Sequence, residues 1–474
     1  MQFKDKLDSI TSKFGSPFKE TEFKRSNSIK EILDNFVEQK EVLVAGRLIA
    51  KREHGKSSFG HIIDQSGKIQ IYAQLNTLGK FYELFKQLDI GDIIGLRGKL
   101  FTTKTGEKTI FVEDFKLLSK ALRPLPEKWH GLKDIEIRYR QRYLDLIANP
   151  DVKENFIKRF KIISFIREFF DKLGYFEVET PILHILAGGA SGKPFITHHN
   201  ANDCDVYLRI APELYLKRLL VGGFEKIYEI NRSFRNEGIS FKHSPEFTML
   251  EAYCAYENYE YMIKICEDLI SSLVKELYSS YILEYQGKKI DFSLPWQRIS
   301  FAEIFKKEFD IEANDSQDVF FEKIKKKMNI TSDTITRTQI LNMTEELIEK
   351  NYPEDKPVFV VDFFTWMSPL AKTKKDNPYL VDRFELFIAG LEVANAYSEL
   401  NDPIEQLERF KKQIEQEEEL PKKIDMDFIR ALEYGMMPAA GLGIGIDRLV
   451  MILLNQPSIK DVILFPLLKP VEEE

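Results

Sequence analysis

The sequence predicts an α+β protein of two or more domains, with a small β-barrel near the amino terminus and a larger domain of hairpins and helices. Three observations support this prediction. The chain has 474 residues, more than one hydrophobic core usually organises. Five short apolar alternations crowd into residues 41–120. Beyond them lie a long amphipathic helical pattern and two hairpin patterns.

Composition is that of a globular protein. Hydrophobic residues make up 43% and charged residues 30% of the chain, and no apolar run approaches the roughly 18 residues that span a bilayer. We therefore expect no membrane partner. The first residues, MQFKDKLDSITSKFG, lack the apolar core of a secretory signal, and the three cysteines have no disulfide spacing. These features predict a cytoplasmic protein.

Composition shifts along the chain predict the domain limits. Residues 1–40 have a mixed-charge helical pattern, and residues 41–120 hold the five barrel strands, separated by glycine-containing turns such as QSGK and TKTGEK. The segment ALRPLPEKWHGL has two prolines around one leucine and begins a stiff linker, 121–150. The second domain is expected over 151–474, with a helical insertion rich in lysine and glutamate at about 255–355.

A five-stranded closed barrel is the usual oligonucleotide-binding (OB) architecture, whose open face stacks unpaired bases on aromatic side chains. Phe59, His61 and Gln70 are the candidates on that face. The alternative is a barrel that serves only as a packing module.

Residues 228–253 predict a hairpin with a charged loop. On the two-residue period of a strand, Phe247, Met249, Glu251 and Tyr253 share one face, next to a loop that carries Arg235. This combination suggests a site for a polyanion and a small cation. An exposed hairpin with ordinary surface charges remains the alternative.

A second hairpin, 382–402, turns near Ala389 and Gly390 and carries Glu385 and Glu392 on its two arms. Paired across the hairpin, two carboxylates would repel each other. A divalent cation removes that repulsion, and Mg²⁺ bound by one or two carboxylates plus phosphate oxygens is the usual arrangement for nucleotides. Beyond the turn, Asn395, Tyr397 and Glu399 alternate onto one face.

The stretch GLGIGIDR has glycine at every second position, Gly441, Gly443 and Gly445. In a strand these glycines clear one face of side chains and leave a slot for a planar base or a triphosphate. Asp447 is the expected cap of the following helix, and Arg448 suits a terminal phosphate.

Two shorter segments complete the candidate site. Gly188 and Gly189 allow close approach of the backbone to a ligand, in a loop that could act as a lid. Pro212 and Gly222 are placed to begin and end a helix, so Glu213 lies in its first turn. That carboxylate either faces the positive end of the helix dipole or binds an ammonium group.

These pieces together resemble the class II aminoacyl-tRNA synthetases over nearly the whole chain. GYFEVETP is similar to the first motif of that class, FRNEG with HSPEFTMLEAY to the second, and GLGIGIDR to the third. Within the class, APELYLK, GGASGKPFITHHN and NAYSELND resemble the lysyl-tRNA synthetases. The long basic amino-terminal extension typical of animal relatives is absent, which favours a bacterial or organelle-like form. The resemblance implies an OB-fold barrel followed by a catalytic domain on an antiparallel sheet with flanking helices.

The resemblance also implies roles for individual residues. Arg235 and Arg448 would be catalytic. ATP would contact Arg235, Glu237, His243, Phe247, Glu385, Glu392 and Arg448, with Glu385 and Glu392 binding Mg²⁺. L-lysine would contact Gly189, Glu213, Arg235, Glu251, Tyr253, Asn395, Tyr397 and Glu399. The anticodon of tRNA(Lys) would contact Phe59, Gln70 and Glu113.

The implied reaction is ATP-dependent attachment of lysine to tRNA(Lys) through lysyl-adenylate, in a homodimeric enzyme. Aspartyl-type or asparaginyl-type enzymes are the nearest alternative, but they need a cation where this chain has Glu399. A non-catalytic RNA-binding paralogue is the other alternative. It has no reason to keep Arg235, Glu385, Glu392 and Arg448 together.

Overall fold

The computed structural model describes residues 2–126, 132–190, 192–330, 336–350, 352–416 and 423–470. The chain divides into two compact units, Met1–Lys133 and Asp134–Glu474. The boundary falls inside the predicted linker, 121–150, of which residues 127–131 lie outside the described ranges. None of the helices in those ranges combines the length and apolar character needed to cross a bilayer.

The first unit is a closed five-stranded barrel with the strand order β1-β2-β3-β5-β4. Its elements are, in chain order, α1 (Gln2–Phe14), a 3-10 turn (Pro17–Lys19), α2 (Ile29–Asp34), β1 (Glu41–His54), β2 (Ser57–Ile63), β3 (Lys68–Gln74), α3 (Leu75–Leu78), α4 (Phe81–Gln87), β4 (Ile93–Thr102) and β5 (Lys108–Ser119). Alternate side chains of β2 and β3 are buried, and Ile62, Ile69 and Ile71 enter the barrel core. The alternation in the sequence therefore reflects inward and outward faces.

The second unit begins with helices and short strands that lead into a large sheet. Its first elements are α5 (Ile135–Arg140), α6 (Arg142–Ala148), α7 (Pro150–Lys172), β6 (Phe176–Glu177), β7 (Leu183–His184), β8 (Ile196–His199), β9 (Cys204–Leu208), α8 (Glu213–Val221), β10 (Lys226–Phe234) and β11 (Glu246–Ala255). The later elements are α9 (Tyr259–Tyr278), β12 (Ile282–Tyr285), β13 (Lys288–Asp291), β14 (Gln297–Ser300), α10 (Phe301–Phe309), α11 (Gln317–Met328), α12 (Arg337–Glu349), β15 (Val358–Val361), a 3-10 turn (Thr365–Met367), β16 (Arg383–Ile388), β17 (Leu391–Ser398), α13 (Pro403–Gln416), α14 (Met426–Glu433), β18 (Ala439–Gly445), α15 (Ile446–Leu453) and α16 (Ile459–Val462).

The sheet has the order β14-β15-β16-β17-β18-β11-β10-β6 and is antiparallel except at its two outer pairs. Its middle strand, β18, pairs with β11 on one side and β17 on the other. One face packs on α7, α9 and α15 through residues such as Leu250, Leu442 and Ala396. The intervening side chains point to the opposite face, which carries the candidate site. The α+β prediction is confirmed.

Several helix and strand ends follow the expected chemistry. Pro150 begins α7, and Gly174, two residues past its last helical residue, has a φ of 80°, where a side chain would be strained. Pro212 and Gly222 flank α8. Ala389 and Gly390 form the β16–β17 turn with positive φ.

Three local features differ from expectation. The second half of the predicted linker is helical, because Asp134 caps α5 by accepting a bond from the Ile137 amide. The segment 255–355 holds α9–α12 but also β12–β14, and its residues 331–335 and 351 lie outside the described ranges. The cap prediction for Asp447 is wrong. Gly445 occupies the cap position, while Asp447 accepts from the Thr248 amide at 2.7 Å and pairs with Arg159 at 2.7 Å.

Candidate active site and barrel face

Strand register assembles the candidate site on one face of the sheet. Glu251 of β11 lies opposite Gly443 of β18, which lies opposite Asn395 of β17. One step along the strands, Tyr253 and Tyr397 flank Gly441 in the same way. The glycines of β18 therefore leave a central gap between two rows of functional side chains, as the alternation in GLGIGI predicts.

A cavity of about 330 Å³ opens above this gap. Its wall includes all eight residues predicted for amino-acid binding, namely Gly189, Glu213, Arg235, Glu251, Tyr253, Asn395, Tyr397 and Glu399. Glu213, Glu251 and Glu399 are buried, with 6%, 6% and 1% of their surface exposed. Three buried carboxylates in one cavity favour a ligand with more than one positive charge. We call this the carboxylate cavity.

Burial changes the protonation of these carboxylates. Loss of solvent raises the pKa of Glu251 to about 8, and the charges of Glu213 and Glu229 act in the same direction. Burial also raises the pKa of Glu399 to about 8, and the positive charge of Lys217 partly opposes that shift. Among the described residues, Oε1 of Glu399 has no hydrogen-bond partner. That oxygen is available to a cationic group in the cavity.

Hydrogen bonds position the other end of the cavity. The hydroxyl of Tyr397 donates to Oε1 of Glu213 at 2.5 Å, and Tyr253 donates to Oε2 of Glu251 at 3.3 Å. Gly189 has a φ of 87°, and a Cβ there would lie 3.2 Å from Cβ of Glu213. Glycine at 189 therefore provides both the backbone conformation and the space beside Glu213.

A larger cavity of about 720 Å³ adjoins the first, and we call it the nucleotide cavity. Its wall includes all seven residues predicted for ATP, namely Arg235, Glu237, His243, Phe247, Glu385, Glu392 and Arg448. Arg235 lines both cavities, its guanidinium carbon lies 5.2 Å from the centre of the Phe247 ring, and its Nε has no partner among the described residues. Arg235 is thus positioned to bind an anion where the cavities meet.

Arg448 and Glu392 form an ion pair in the wall of the nucleotide cavity. Nη1 of Arg448 donates to Oε2 of Glu392 at 3.1 Å. Burial opposes the charge of Glu392, but Arg448 and a hydrogen bond from Asn395 hold its pKa below the usual range. Desolvation, with the charges of Arg448 and Lys242, lowers the pKa of His243 to about 4. His243 is therefore neutral at neutral pH.

Glu385 and Glu392 both line the nucleotide cavity but are not cross-strand partners. An irregularity between Leu386 and Phe387 shifts the register, so Glu385 lies opposite Asn395 and Glu392 opposite Phe387. Glu385 forms an ion pair with Arg383, which the sequence analysis missed and which lines both cavities. The described residues contain no group of three or more His, Cys, Asp or Glu side chains arranged for a metal. The pair of carboxylates fits an ion that takes its remaining ligands from a nucleotide.

On the barrel, Phe59 and Gln70 share an outward surface formed by β2, β3 and β5. The rings of Phe59 and Tyr72 are 4.4 Å apart, and that of Phe111 is 6.0 Å from Tyr72. Nε2 of Gln70 donates to Glu107 at 2.6 Å, and His61 contacts the other oxygen of Glu107 at 2.8 Å. We call this surface the aromatic face.

Glu113 lies among cations, with Arg97 at 3.5 Å and Lys99 at 3.4 Å. The carboxylate beside Gln70 is that of Glu107, which sequence reasoning missed because it lies at the end of a turn. Glu107 directly precedes β5, and Thr109 of that strand pairs with Gln70. This position next to β5 was the feature that could have indicated a contact between Glu107 and Gln70.

Comparison with known proteins agrees with this geometry. The family model "tRNA synthetases class II (D, K and N)" matches residues 134–469, and the model "OB-fold nucleic acid binding domain" matches residues 42–118. The lysine–tRNA ligase of Pelotomaculum thermopropionicum is 54% identical over 461 residues, covering 95% of this chain and 91% of the relative. That of Carboxydothermus hydrogenoformans is 54% identical over 457 residues, covering 94% and 93%.

A more distant lysine–tRNA ligase, from Thermotoga maritima, is 49% identical over 443 residues, covering 92% of this chain and 88% of the relative. These alignments extend through both units, so they include the barrel as well as both cavities. The chain belongs to the class II aminoacyl-tRNA synthetases and, within them, to the lysine–tRNA ligase family.

Proposed function

We propose that this chain activates L-lysine with ATP in the two adjoining cavities and transfers it to the 3′ end of tRNA(Lys). The observation that carries the choice of amino acid is the unpaired Oε1 of buried Glu399. A ligand without a side-chain ammonium would leave this oxygen desolvated and without a partner, at a cost in binding free energy.

In the carboxylate cavity, Glu213 and the backbone at Gly189 receive the α-amino group of lysine, with Glu251 and Asn395 beside it. Glu399 and the hydroxyl of Tyr253 bind the ε-ammonium group, while the ring of Tyr397 covers the aliphatic chain. All of these groups line one cavity, and two of its three carboxylates, Glu213 and Glu399, are assigned to the two ammonium groups of lysine.

In the nucleotide cavity, Phe247 stacks on adenine, while Glu237 and neutral His243 contact the nucleotide. Arg448 binds the γ-phosphate. Arg235 holds both the α-phosphate and the lysine carboxylate, which its position in the two cavity walls supports. Arg235 and Arg448 are therefore the proposed catalytic residues.

The lysine carboxylate attacks the α-phosphorus of ATP, the bond to the bridging oxygen breaks, and pyrophosphate leaves with that bond's electron pair. Both reacting groups are anions, so their repulsion is the main electrostatic barrier that the protein can lower. Arg235 and Arg448 neutralise the developing charge, and no protein nucleophile is required. A ribose hydroxyl at the 3′ end of tRNA then attacks the lysyl carbonyl and releases AMP.

Mg²⁺ is the proposed metal cofactor, and Glu385 and Glu392 would hold it beside a bound nucleotide. When bound, Mg²⁺ neutralises phosphate charge. Glu392 supports this assignment because its pKa lies below the usual range, so it is an ionised oxygen ligand at neutral pH.

The aromatic face is the proposed anticodon site. The rings of Phe59 and Tyr72 suit stacking of unpaired bases, and Gln70 offers an amide to a base edge. Glu107 holds Gln70 and His61 in place. We add Glu107 to the contacts predicted from the sequence, and Glu113 stays a prediction.

A cytoplasmic homodimer is the proposed working form. Large apolar side chains are exposed on α7, on β6 and just after β7, with 50% of Phe160, 66% of Phe176 and 66% of Ile185 accessible to solvent. A second copy of the chain would cover such a surface. Sedimentation at micromolar concentration would test this.

The decisive experiment measures ATP–pyrophosphate exchange with each standard amino acid, with and without Mg²⁺. Lysine alone is expected to support rapid exchange, and only with the metal. E399Q is expected to raise KM for lysine far more than KM for ATP. Absence of lysine-dependent exchange, or equal effects of E399Q on both substrates, would contradict the proposal.

Aspartate is the relevant competitor, because it needs a cation where lysine needs an anion. Lys217 is the nearest candidate cation, yet it is committed to Glu213 and Glu399 and does not belong to the wall of the carboxylate cavity within the described ranges. Beside Glu399, the cavity thus presents a carboxylate to the side chain of its ligand. Exchange driven by aspartate would contradict this reasoning.

A further inference from the structure

Lys217 is a fully buried lysine directly behind the carboxylate cavity. It lies on α8, one helical turn after Glu213, so both side chains share a helix face. Its Nζ is 2.6 Å from Oε1 of Glu213 and 2.5 Å from Oε2 of Glu399. One ammonium group therefore joins two carboxylates that come from distant parts of the chain.

The contacts of Lys217 leave a defined set of oxygens to the ligand. On Glu399, Oε2 faces Lys217 and Oε1 has no hydrogen-bond partner among the described residues. On Glu213, Oε1 takes both Lys217 and the Tyr397 hydroxyl. Lys217 has no exposed side-chain surface and is absent from the described wall of the cavity. It therefore supports the two carboxylates from behind and does not occupy the ligand's space.

Lys217 also compensates negative charge in the carboxylate cavity. When the substrate is bound and all three carboxylates are ionised, Glu213, Glu251 and Glu399 bring three negative charges to a buried region, and Lys217 compensates one of them. The two ammonium groups of the proposed substrate compensate the other two, while Arg235 faces its carboxylate. Mutual attraction also stabilises the charge of Lys217 itself. Although burial disfavours the ion, Glu213 and Glu399 raise the pKa of Lys217 above its usual value.

We propose that Lys217 is a positioning residue that sets the length of amino acid the enzyme accepts, by fixing the spacing between the two carboxylates that receive the substrate's amino groups. The inference rests on the proposed function, in which Glu213 binds the α-amino group and Glu399 the ε-ammonium group. Because Lys217 bonds both carboxylates, they cannot shift toward a diamino acid one methylene shorter, such as ornithine, without breaking one of these ion pairs.

The test compares K217M, K217Q and K217R in the full-length enzyme by ATP–pyrophosphate exchange with lysine and with ornithine. Lys289, an exposed residue of β13, provides the matched control K289M. In a hydrophobic pocket, one methylene more or less changes substrate discrimination by about 10-fold to 200-fold, which sets the scale expected here. In K217M and K217Q, KM for lysine is expected to rise by about tenfold or more, and most of the lysine preference over ornithine is expected to disappear.

The KM for ATP is expected to stay within about twofold, because the nucleotide cavity keeps its own charges. K217R keeps the positive charge and is expected to retain more of the lysine preference than K217M. If K217M fails to fold, as judged by thermal unfolding, K217Q and K217R decide the question.

The outcomes separate this inference from the function on which it rests. If the unmodified enzyme does not activate lysine, the proposed function fails and the role of Lys217 fails with it. If the unmodified enzyme activates lysine, but the Lys217 variants keep its lysine-to-ornithine ratio, only the role of Lys217 is overturned. Loss of exchange with unchanged KM for lysine would also overturn it, because spacing of the carboxylates acts on binding.

Discussion

Gly441 lies in β18, paired with Tyr253 of β11 on one side and Tyr397 of β17 on the other. A Cβ at this position would lie 2.0 Å from Oε1 of Glu399 and 2.6 Å from Cε1 of Tyr253. Both distances are too short for non-bonded heavy atoms, so G441A must displace the Glu399 carboxylate or the Tyr253 ring. These are the two groups proposed for the ε-ammonium of lysine.

The size of the effect follows from burial. Disrupting one partner of a buried, charged contact costs about 2–5 kcal/mol. At about 1.4 kcal/mol for each factor of ten, kcat/KM for lysine is expected to fall by about 30-fold to several thousand-fold. Most of the loss is expected in KM, and KM for ATP is expected to change by less than about threefold.

Two other glycines of β18 give the same chemical change with less crowding. In G443A the nearest atom is the flexible Cε of Met249 at 3.3 Å, and in G445A it is the carbonyl oxygen of Val393 at 3.6 Å. Steady-state pyrophosphate exchange should therefore rank lysine KM as G441A, then G443A, then G445A. If G441A and G445A raise lysine KM equally while both remain folded, Gly441 has no special role beside Glu399.

Two further predictions concern protonation and the barrel. Because burial raises the pKa of Glu251 and of Glu399 to about 8, unliganded enzyme holds protons at neutral pH that a bound ammonium group must displace. Lysine affinity is expected to rise from pH 6.5 to 8 with release of protons, measured by calorimetry in buffers of different ionisation enthalpy, and a flat profile would refute the raised values. On the barrel, E107Q is expected to reduce kcat/KM for tRNA several-fold more than E113Q, with lysine-dependent exchange unchanged, because Glu107 orients Gln70. An equal or reversed ranking in aminoacylation assays would refute that role.

Local sequence patterns predicted the elements that carry the site. Period-two alternation placed Phe247, Glu251 and Tyr253 on one face of β11, and the glycine repeat predicted the open face of β18. Proline and glycine marked the ends of α8. These predictions succeeded because each depends on residues that are close in the chain.

Local sequence patterns could not predict the roles of residues that depend on strand register or on contacts between distant parts of the chain. The β16–β17 irregularity moved Glu385 and Glu392 out of direct pairing, and a bulge of this kind has no reliable signature in one sequence. In the sequence Asp447 has the position of a helix cap, but in the structure its partners are Arg159 and the Thr248 amide, which are distant in the chain.

Lys217 illustrates the same limit in the carboxylate cavity. Its spacing from Glu213 was visible, since residues four apart share a helix face. Most such pairs lie on solvated surfaces and contribute little. The Lys217–Glu213 pair differs from those because it is buried and because Lys217 also contacts Glu399, which is far away in the chain. Only the assembled sheet and helix reveal it.

The position of Arg235 explains how two cavities of different charge act as one site. The carboxylate cavity attracts cations, and the nucleotide cavity presents Arg448, so neither alone would hold two anionic reacting groups together. Arg235 emerges at the end of β10 and lines both walls, with its Nε unpaired among the described residues. A guanidinium already oriented at this junction needs little reorganisation when a carboxylate and a phosphate approach. In the proposed function each of those anions meets the same cation, so the site that binds lysine would also bring its carboxylate to the nucleotide.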